Sequence, residues 1–146
     1  MINKINAYGI CLYKKTKKSY EILLCKSVLS RTKYGFLKGM QDYDESIKQT
    51  AIREFYEESS IKVEVENLEK YFLQENNYKD IGIYMVNYKN IKNIDSFFIS
   101  NKLKKKYICS ENSNVEFFDI KNLPTIKDKQ ITISKDIVKY LQSQNS

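Results

Sequence analysis

The sequence lacks histidine and tryptophan altogether, and it is poor in the residues that mark turns and cross-links. Its 146 residues include one proline, four glycines and three cysteines. The absence of histidine excludes the Ser–His–Asp and Cys–His catalytic arrangements and any zinc site with histidine ligands. Any chemistry must therefore rely on carboxylates, lysine, arginine, tyrosine, serine or threonine, or on a metal ion.

The cysteines do not follow a disulfide pattern. Cys11, Cys25 and Cys109 are odd in number and far apart, and two of them lie in apolar, strand-like runs. Such positions are typical of buried, reduced thiols. We therefore expect free cysteines.

Long hydrophobic runs are also missing. The sequence has no stretch of about 18 apolar residues, and its start, MINKINAYG, lacks the apolar segment and cleavage site of a signal peptide. We therefore expect no membrane association and a location in the cytoplasm. The length is that of one ordinary domain with a real core, so we expect residues 1–146 to form a single domain.

Positive charge is in excess. The chain has 25 Lys and Arg residues against 18 Asp and Glu residues, a net charge of +7. This surplus suits a polyanionic partner, because clustered cations attract phosphates and release counterions on contact. The alternative is a compositional bias, since much of the lysine is scattered through an Ile-, Asn- and Lys-rich sequence.

The hydrophobic pattern predicts a mixed α/β domain. NAYGICLYKK and SYEILLCKS read as a hairpin, followed by a loop, RTKYGFLKG. One helix is expected from Asp44 to Ser59 with Asp42 or Asp44 as its N-cap, and another from Ser134 to Gln144. Further strands are expected within IKVEVENLEKYFLQENN, DIGIYMVNYKN and VEFFDI, whereas IKNIDSFFISNKLKKKYICS gives only a weak signal. This order predicts helices packed on a mixed sheet.

The first helix carries an unusual group of acidic residues. At about 100° per residue, Phe55 and its apolar neighbours form a core-facing stripe. Glu54, Glu57 and Glu58 span an arc of only about 100°, and Glu58 begins that arc inside the stripe. Like charges at these spacings repel, and a carboxylate at a buried edge is costly unless something positive compensates it.

A divalent cation resolves this cost. Three carboxylates on one helix face form an oxygen-only site for a hard cation such as Mg²⁺ or Mn²⁺. The alternative is an ordinary charged helix in which Arg53 pairs with Glu57 four residues later. The wider stretch favours the cation, because it fits the pattern G-x5-E-x7-R-E-U-x-E-E-x-x-U from Gly39 to Ile61, where U is apolar or aromatic.

This stretch resembles the 23-residue signature of the Nudix hydrolases at every fixed position except one. Ser60 stands where the family usually has glycine, at a turn where glycine supplies a left-handed conformation. The resemblance implies a Nudix-type α/β/α sandwich, with a mixed β-sheet and packed helices. It also implies that water cleaves a diphosphate linked to another moiety.

The resemblance implies a role for each matched residue. Glu54, Glu57 and Glu58 are expected to bind the metal together with the backbone carbonyl of Gly39. Arg53 and Glu45 are expected to orient the glutamates, and Glu57 or Glu54 is a candidate proton acceptor for the attacking water. Lys38, next to Gly39, is a candidate for the substrate phosphates, although a lone loop lysine is as often simply solvated.

A further acidic candidate lies outside the signature. It comes from the segment SENSNVEFFDIKNLP, which looks like the late segment of many Nudix proteins. There an acidic residue lies six positions before an aromatic residue that starts a strand, and Glu111 and Phe117 fit that spacing. The resemblance makes Glu111 a metal ligand or general base on a mobile loop.

The closest resemblance within the family is to mRNA decapping enzymes, including viral ones. It rests on AYGICLY, YGFLKG and VEFFDIKNLP, and covers about Ala7 to Pro124. Tyr34 and Leu37 depart from the tryptophan and proline usual there. The expected substrate is capped RNA, cleaved to release m7GDP, in the host cytoplasm if the protein is viral. No protein partner is predictable.

Two other functions remain open. One is a hydrolase of small substrates, either dinucleoside polyphosphates of the Ap4A type or inositol pyrophosphates. The other is a Nudix-like binding module without catalysis, which the complete glutamate set disfavours.

Two lysine clusters are candidates for gripping RNA. The first lies in the hairpin and the second just before Glu111, and phosphate contacts of this kind position RNA without reading its sequence. A solvated run of charge is the simpler alternative for both. The clusters are Lys14, Lys15, Lys17 and Lys18, and Lys102, Lys104, Lys105 and Lys106.

Overall fold

The computed structural model describes residues 4–144. Within that range the chain forms eight β-strands and two α-helices, joined by loops and short 3-10 helices. In chain order they are β1 (Ala7–Lys15), β2 (Tyr20–Ser27), β3 (Leu37–Met40), α1 (Ile47–Ser59), β4 (Tyr71–Gln74), β5 (Ile81–Asn87), β6 (Phe98–Ile99), β7 (Lys102–Leu103), β8 (Asn112–Asp119) and α2 (Ile131–Ser143). None of the helices described here is long and apolar enough to span a bilayer.

The strands form one mixed sheet centred on β1. The order is β4-β5-β1-β2-β8-β7-β6, and β3 pairs with β1 beside this path. β5 lies parallel to β1, while β2 and β3 are both antiparallel to it. β3 pairs with the first half of β1, where Gly39 lies opposite Tyr8, and β2 pairs with the second half from Tyr13 onwards. The signature glycine is thus positioned at the N-terminal end of the central strand.

Apolar side chains cover both faces of the sheet. On one face, Leu12 and Leu23 belong to a buried cluster with Phe55 of α1. On the other face, Ile22 belongs to a second cluster with Ile137 of α2. Because both faces are covered, the central strands read as continuous apolar runs without alternation. The predicted α/β/α sandwich is confirmed.

The N-terminus of α1 differs from the prediction. The N-cap is Ser46, not Asp42 or Asp44. The Ser46 hydroxyl accepts a hydrogen bond from the backbone N–H of Gln49 at 3.1 Å, and the Gln49 side chain accepts one from the N–H of Ser46 at 2.8 Å. This reciprocal capping box satisfies two backbone donors, which is more than a single aspartate cap provides.

The C-terminus of α1 matches the expectation for Ser60. This residue ends the helix with φ 63° and ψ 9°, in the left-handed region, and its N–H donates to the carbonyl of Tyr56. Serine here retains the turn that glycine would form, at a cost in backbone strain.

The hairpin, the strand within DIGIYMVNYKN and the closing helix are confirmed, although α2 begins at Ile131, before the expected Ser134. The segment predicted as a loop contains β3, a four-residue strand too short to show periodicity. The alternating segment after α1 is only partly a strand. Val65–Asn67 forms a 3-10 turn in which the Asn67 side chain accepts from Glu64 N–H at 2.9 Å. The weakly predicted segment contains the two-residue strands β6 and β7.

Candidate active site

Helix α1 positions the three signature glutamates beside β3. Phe55 and Ala51 are fully buried and fix the orientation of the helix on the sheet. This packing places Glu54 so close to Gly39 that a β-carbon on residue 39 would lie 2.0 Å from the Glu54 carboxyl group. Any side chain at residue 39 would have to displace this carboxyl group, which is the flexible end of Glu54, so glycine here leaves the predicted ligand in place.

A cleft of about 370 Å³ lies at this point and collects most of the predicted site. Its lining includes the glutamates of α1, the loop glutamate Glu111, and Arg53. Glu111 immediately precedes β8, so the structure brings it beside α1 although more than fifty positions separate them in the sequence. The lining residues are Lys38, Gly39, Met40, Asp42, Arg53, Glu54, Glu57, Glu58, Cys109 and Glu111.

Arg53 connects four carboxylates: three of them accept hydrogen bonds from it, and that of Asp42 lies 3.5 Å from its Nη2. It holds Glu45 in a bidentate pair, with Nε to Oε2 at 2.6 Å and Nη2 to Oε1 at 2.9 Å. Its Nη1 donates to Glu57 Oε2 at 3.0 Å and to Glu54 Oε2 at 3.3 Å. The simple pair of Arg53 with Glu57 is therefore one contact within a larger network.

Glu45 anchors this network from outside the cleft. The hydrogen bond from Arg53 lowers the pKa of Glu45 to about 2, and bonds from the Asp42 N–H and the Thr50 hydroxyl act in the same direction. Thr50 is fully buried and donates to Glu45 at 2.9 Å. Glu45 therefore stays ionised and fixes the guanidinium of Arg53 in place.

The pKa values of Glu58 and Glu54 are shifted in the opposite direction from that of Glu45. Burial raises the pKa of Glu58 to about 7, and the charges of Glu54 and Glu111 add to this effect despite a hydrogen bond from Asn112 Nδ2 at 3.3 Å. Burial, followed by the charge of Glu57, also raises the pKa of Glu54. The prediction that Glu58 lies at a buried edge is correct, and the acidic groups together resist full ionisation.

The donors in the cleft suit a hard divalent cation. Four glutamates offer carboxylate oxygens, the ligands that Mg²⁺ and Mn²⁺ prefer. In residues 4–144, however, no group of three acidic or cysteine side chains already has the spacing of a metal cage. Arg53 holds Glu57 and Glu54, and Asn112 holds Glu58, so a cation must compete for these oxygens. The residue types fit the cation, and binding requires the side chains to rearrange.

Lys38 lies in β3, not in a loop, and its side chain lines the cleft. Burial lowers the pKa of Lys38 to about 8, and the nearby charges of Lys79 and Lys127 add to this effect. Lys38 is therefore not a freely solvated lysine. It places a cationic group directly beside the carboxylates.

The two predicted lysine clusters do not line the cleft. In the second cluster, Lys102 lies opposite Glu116 in the sheet, and Lys106 lies over the ring of Tyr107 at 5.1 Å. In the first, Lys14 pairs with Glu21 at 3.6 Å. Lys14 is also six residues along β1 from Tyr8, the residue that pairs with Gly39, and six residues of a strand span about 20 Å.

Sequence reasoning did not assign Asn112 or Cys109 to the site, and it considered Asp42, which also lines the cleft, only as a helix cap. Asn112 donates to Glu58 and also lies 3.6 Å from the Cys109 sulfur. Cys109 is half-buried in the cleft, whereas Cys11 and Cys25 are buried in the core; all three are free thiols, as expected. Neither missed residue belongs to a spaced motif, so only the three-dimensional arrangement reveals them.

The sequence profile of the NUDIX domain matches residues 4–139. Because the match spans most of the sequence, the chain belongs to the Nudix family, and the predicted Nudix-type fold is confirmed. Enzymes of this family generally use divalent metal ions. The chain is therefore a Nudix hydrolase, an enzyme that cleaves a diphosphate linkage with water.

Solved structures share this fold at low sequence identity. An Ap4A hydrolase from C. elegans has a TM-score of 0.59 and 19% identity, covering 97% of this chain and 95% of that one. A NUDIX hydrolase from Nitrosomonas europaea has a TM-score of 0.67 at 16% identity, covering 99% and 74%. An ADP-ribose pyrophosphatase from Streptococcus suis has a TM-score of 0.59 at 15% identity, covering 99% and 94%. At these identities the similarity shows the fold alone. No curated protein sequence is similar enough to serve as a relative.

Proposed function

We propose that this Nudix hydrolase removes the 5′ cap of messenger RNA and releases m7GDP. The observation that carries the proposal is the position of Lys38, which lines both the carboxylate cleft and a neighbouring depression with four further lysines. A substrate with its anhydride at the carboxylates has its next phosphates beside ammonium groups, which suits a long polyanion. The resemblance of YGFLKG and VEFFDIKNLP to decapping enzymes and the net charge of +7 support the same substrate.

The expected cation is Mg²⁺ or Mn²⁺, held by Glu54, Glu57 and Glu58 with the carbonyl of Gly39, and Glu111 is either a further ligand or the proton acceptor. When bound, it neutralises phosphate oxygens and makes water more acidic. The raised pKa of Glu58 means that a proton competes with the cation for that carboxylate. Metal affinity is therefore expected to rise with pH.

The remaining side chains either orient the glutamates or accept a proton. Arg53, fixed by Glu45, orients Glu54 and Glu57 through the contacts described above. We assign the proton from the attacking water to Glu111, because in the described chain its carboxylate has no hydrogen-bond or ion-pair partner. Glu57 and Glu54 are the alternatives, and both are already held by Arg53.

A second candidate is hydrolysis of a dinucleoside polyphosphate or of an inositol pyrophosphate. The C. elegans protein that shares this fold is an Ap4A hydrolase. A small substrate of this type carries only a short phosphate chain, which Lys38 beside the carboxylates can contact without the lysines beyond it. The two functions therefore differ in the length of substrate that the enzyme contacts.

The test is to incubate the purified protein with Mg²⁺ or Mn²⁺ and one of three substrates: long cap-labelled RNA, free cap dinucleotide, or diadenosine tetraphosphate. Release of m7GDP from long capped RNA, with a rate that falls as salt rises, is the expected result. Turnover of the tetraphosphate with capped RNA left intact would overturn the decapping proposal and leave the family assignment unchanged.

A further inference from the structure

A depression of about 380 Å³ adjoins the catalytic cleft. It shares Lys38 with the cleft, and its other basic residues come from three loops that are distant in the sequence. We call this depression the lysine groove. Its charged lining consists of five lysines and one aspartate: Lys33, Lys38, Lys79, Lys127, Lys129 and Asp128.

One side chain ties together two of the loops that carry these lysines. Asn76 Nδ2 donates to the carbonyl of Lys79 at 2.9 Å and to the carbonyl of Lys129 at 3.3 Å. The loop before β5 and the loop before α2 are therefore joined through backbone atoms. The lysine side chains are left out of this contact and remain available to a ligand.

The third loop is joined to the same scaffold. Lys127 N–H donates to the carbonyl of Tyr34 at 3.0 Å, next to Lys33. Gln130, which is only 3% exposed, accepts a hydrogen bond from the N–H of Phe36 at 2.8 Å. The backbone of the lysine groove is thus assembled before any ligand binds, which lowers the entropic cost of binding.

The charge of the lysine groove is largely uncompensated. Lys33 pairs with Asp128 at 3.3 Å. Among the described residues, no carboxylate lies within 4.0 Å of the other four ammonium groups, those of Lys38, Lys79, Lys127 and Lys129. Unpaired lysines held close together repel each other, and an anion that binds between them removes this repulsion.

We propose that the lysine groove binds the phosphate backbone of single-stranded RNA downstream of the bond that the enzyme cleaves. This inference rests on the proposed decapping function and names the surface that grips the RNA body. Lysines act as point charges on successive phosphates without reading bases, as a decapping enzyme with many substrates requires. Neither lysine cluster predicted from the sequence contributes to the groove. Of the lysines that the sequence analysis assigned to substrate phosphates, only Lys38 lines it.

The test combines binding and turnover in the double variant Lys79→Gln/Lys127→Gln. Binding of an uncapped, fluorescently labelled 20-nucleotide RNA is measured by anisotropy at several salt concentrations. Removing two single-strand phosphate contacts is expected to reduce the slope of log K against log salt by about 1.4 and to weaken binding roughly 25-fold at about 0.1 M salt. The kcat/KM for long capped RNA should fall at least ten-fold more than that for the cap dinucleotide.

The matched control is Lys135→Gln/Lys139→Gln on the exposed side of α2. It removes the same charge from a surface that does not contribute to the groove. If this control weakens RNA binding as much as the groove variant, net charge and not the groove explains the effect, and the proposal is wrong. An unchanged salt slope in the groove variant would also contradict it.

The binding assay separates this proposal from the proposed function. If the wild type does not cleave capped RNA but the groove variant alone loses RNA binding, decapping is wrong and the groove assignment stands. If the wild type releases m7GDP and the groove variant behaves like the control in both assays, decapping stands and the groove assignment is wrong.

Discussion

The two ends of β1 show what distinguishes a charged functional site from a charged surface. Near Gly39, burial and mutual repulsion raise the pKa of Glu54 and Glu58, so their charge is poorly compensated within the protein. At the other end, Lys14 pairs with Glu21 and lies 4.4 Å from the ring centre of Phe117. That end has the larger cavity, of about 450 Å³, and a dense lysine run. Buried and mutually repelling charge, rather than cavity size or number of charges, therefore marks the catalytic end.

The strongest test of this comparison is to remove one carboxylate from each end. Glu57→Gln should reduce kcat by about 10²- to 10⁴-fold with the fold retained, because it removes a metal ligand and an acceptor candidate. Glu21→Gln, the matched change at the other end, should alter kcat less than about two-fold. Steady-state hydrolysis and circular dichroism measure both effects. Full activity in Glu57→Gln would show that the site assignment is wrong.

A smaller effect is expected from Arg53→Lys. Lysine keeps the charge but loses the planar fork that contacts Glu45, Glu57 and Glu54 together. Because Arg53 acts on the glutamates and not on the substrate, activity should fall about 10- to 100-fold, and the metal concentration for half-maximal activity should rise. A fall in activity with unchanged metal dependence would argue against an orienting role.

The stability of the fold at low pH depends on the same arginine. The folded-state pKa of Glu45 is lowered to about 2, from an ordinary value of 4.5. Its contribution to stability is therefore fully present above about pH 4.5 and is lost as the pH falls towards 2. In Glu45→Gln, the melting temperature should depend less steeply on pH within this window. An identical slope in wild type and variant would contradict the assigned pKa shift.

The raised pKa of Glu58 predicts the opposite pH dependence of stability. Its pKa is raised from 4.5 to about 7, so in the presence of EDTA the wild type should lose stability as the pH rises from about 4.5 to 7, with no further loss from this group above that. Glu58→Gln removes the charge and should raise the free energy of unfolding above pH 7 by about 1–3 kcal/mol. Chemical denaturation at pH 5 and pH 8 measures this difference. Equal stability of the two proteins at pH 8 would show that the burial cost is absent.

The smallest effect concerns the turn after α1. Ser60→Gly relieves a left-handed conformation with φ 63° and should stabilise the fold by about 1 kcal/mol. Lys48→Gly, in the first turn of the same helix, should destabilise the fold by up to about 1 kcal/mol because its backbone is helical. Thermal unfolding of the two variants therefore gives shifts of opposite sign, and shifts of the same sign would contradict this explanation of Ser60.

The parts of the site that are local in sequence were predictable, and the parts assembled by tertiary structure were not. Helical periodicity alone places Glu58 at the edge of the apolar stripe, because the spacing of residues on a helix is regular. Asn112 reaches Glu58 from another element, and nothing in its neighbourhood along the chain indicates that contact. The same limit explains why lysine-rich stretches were conspicuous in the sequence while Lys79 and Lys127, from separate loops, were not.

Short elements set a second limit on prediction. β3 has only four residues, and its position is specified by pairing with β1. The capping box of α1 needed only Ser46 and Gln49, a spacing visible in the sequence, but the preceding aspartates are equally good cap residues in isolation. Tertiary context selected between them, since Asp42 lies in the cleft, where its N–H donates to Glu45.

The shared edge of β1 has a consequence for how this enzyme can vary. Because β3 and β2 pair with successive halves of one edge, Gly39 and the hairpin are held in a common register. Inserting one residue between Gly9 and Tyr13 would shift one pairing relative to the other by about 3.3 Å and turn following side chains to the wrong face of the sheet. Extra residues in the turn at 16–19 would leave both pairings intact. Length variation among enzymes of this design should therefore accumulate at the hairpin turn and be absent from the middle of β1.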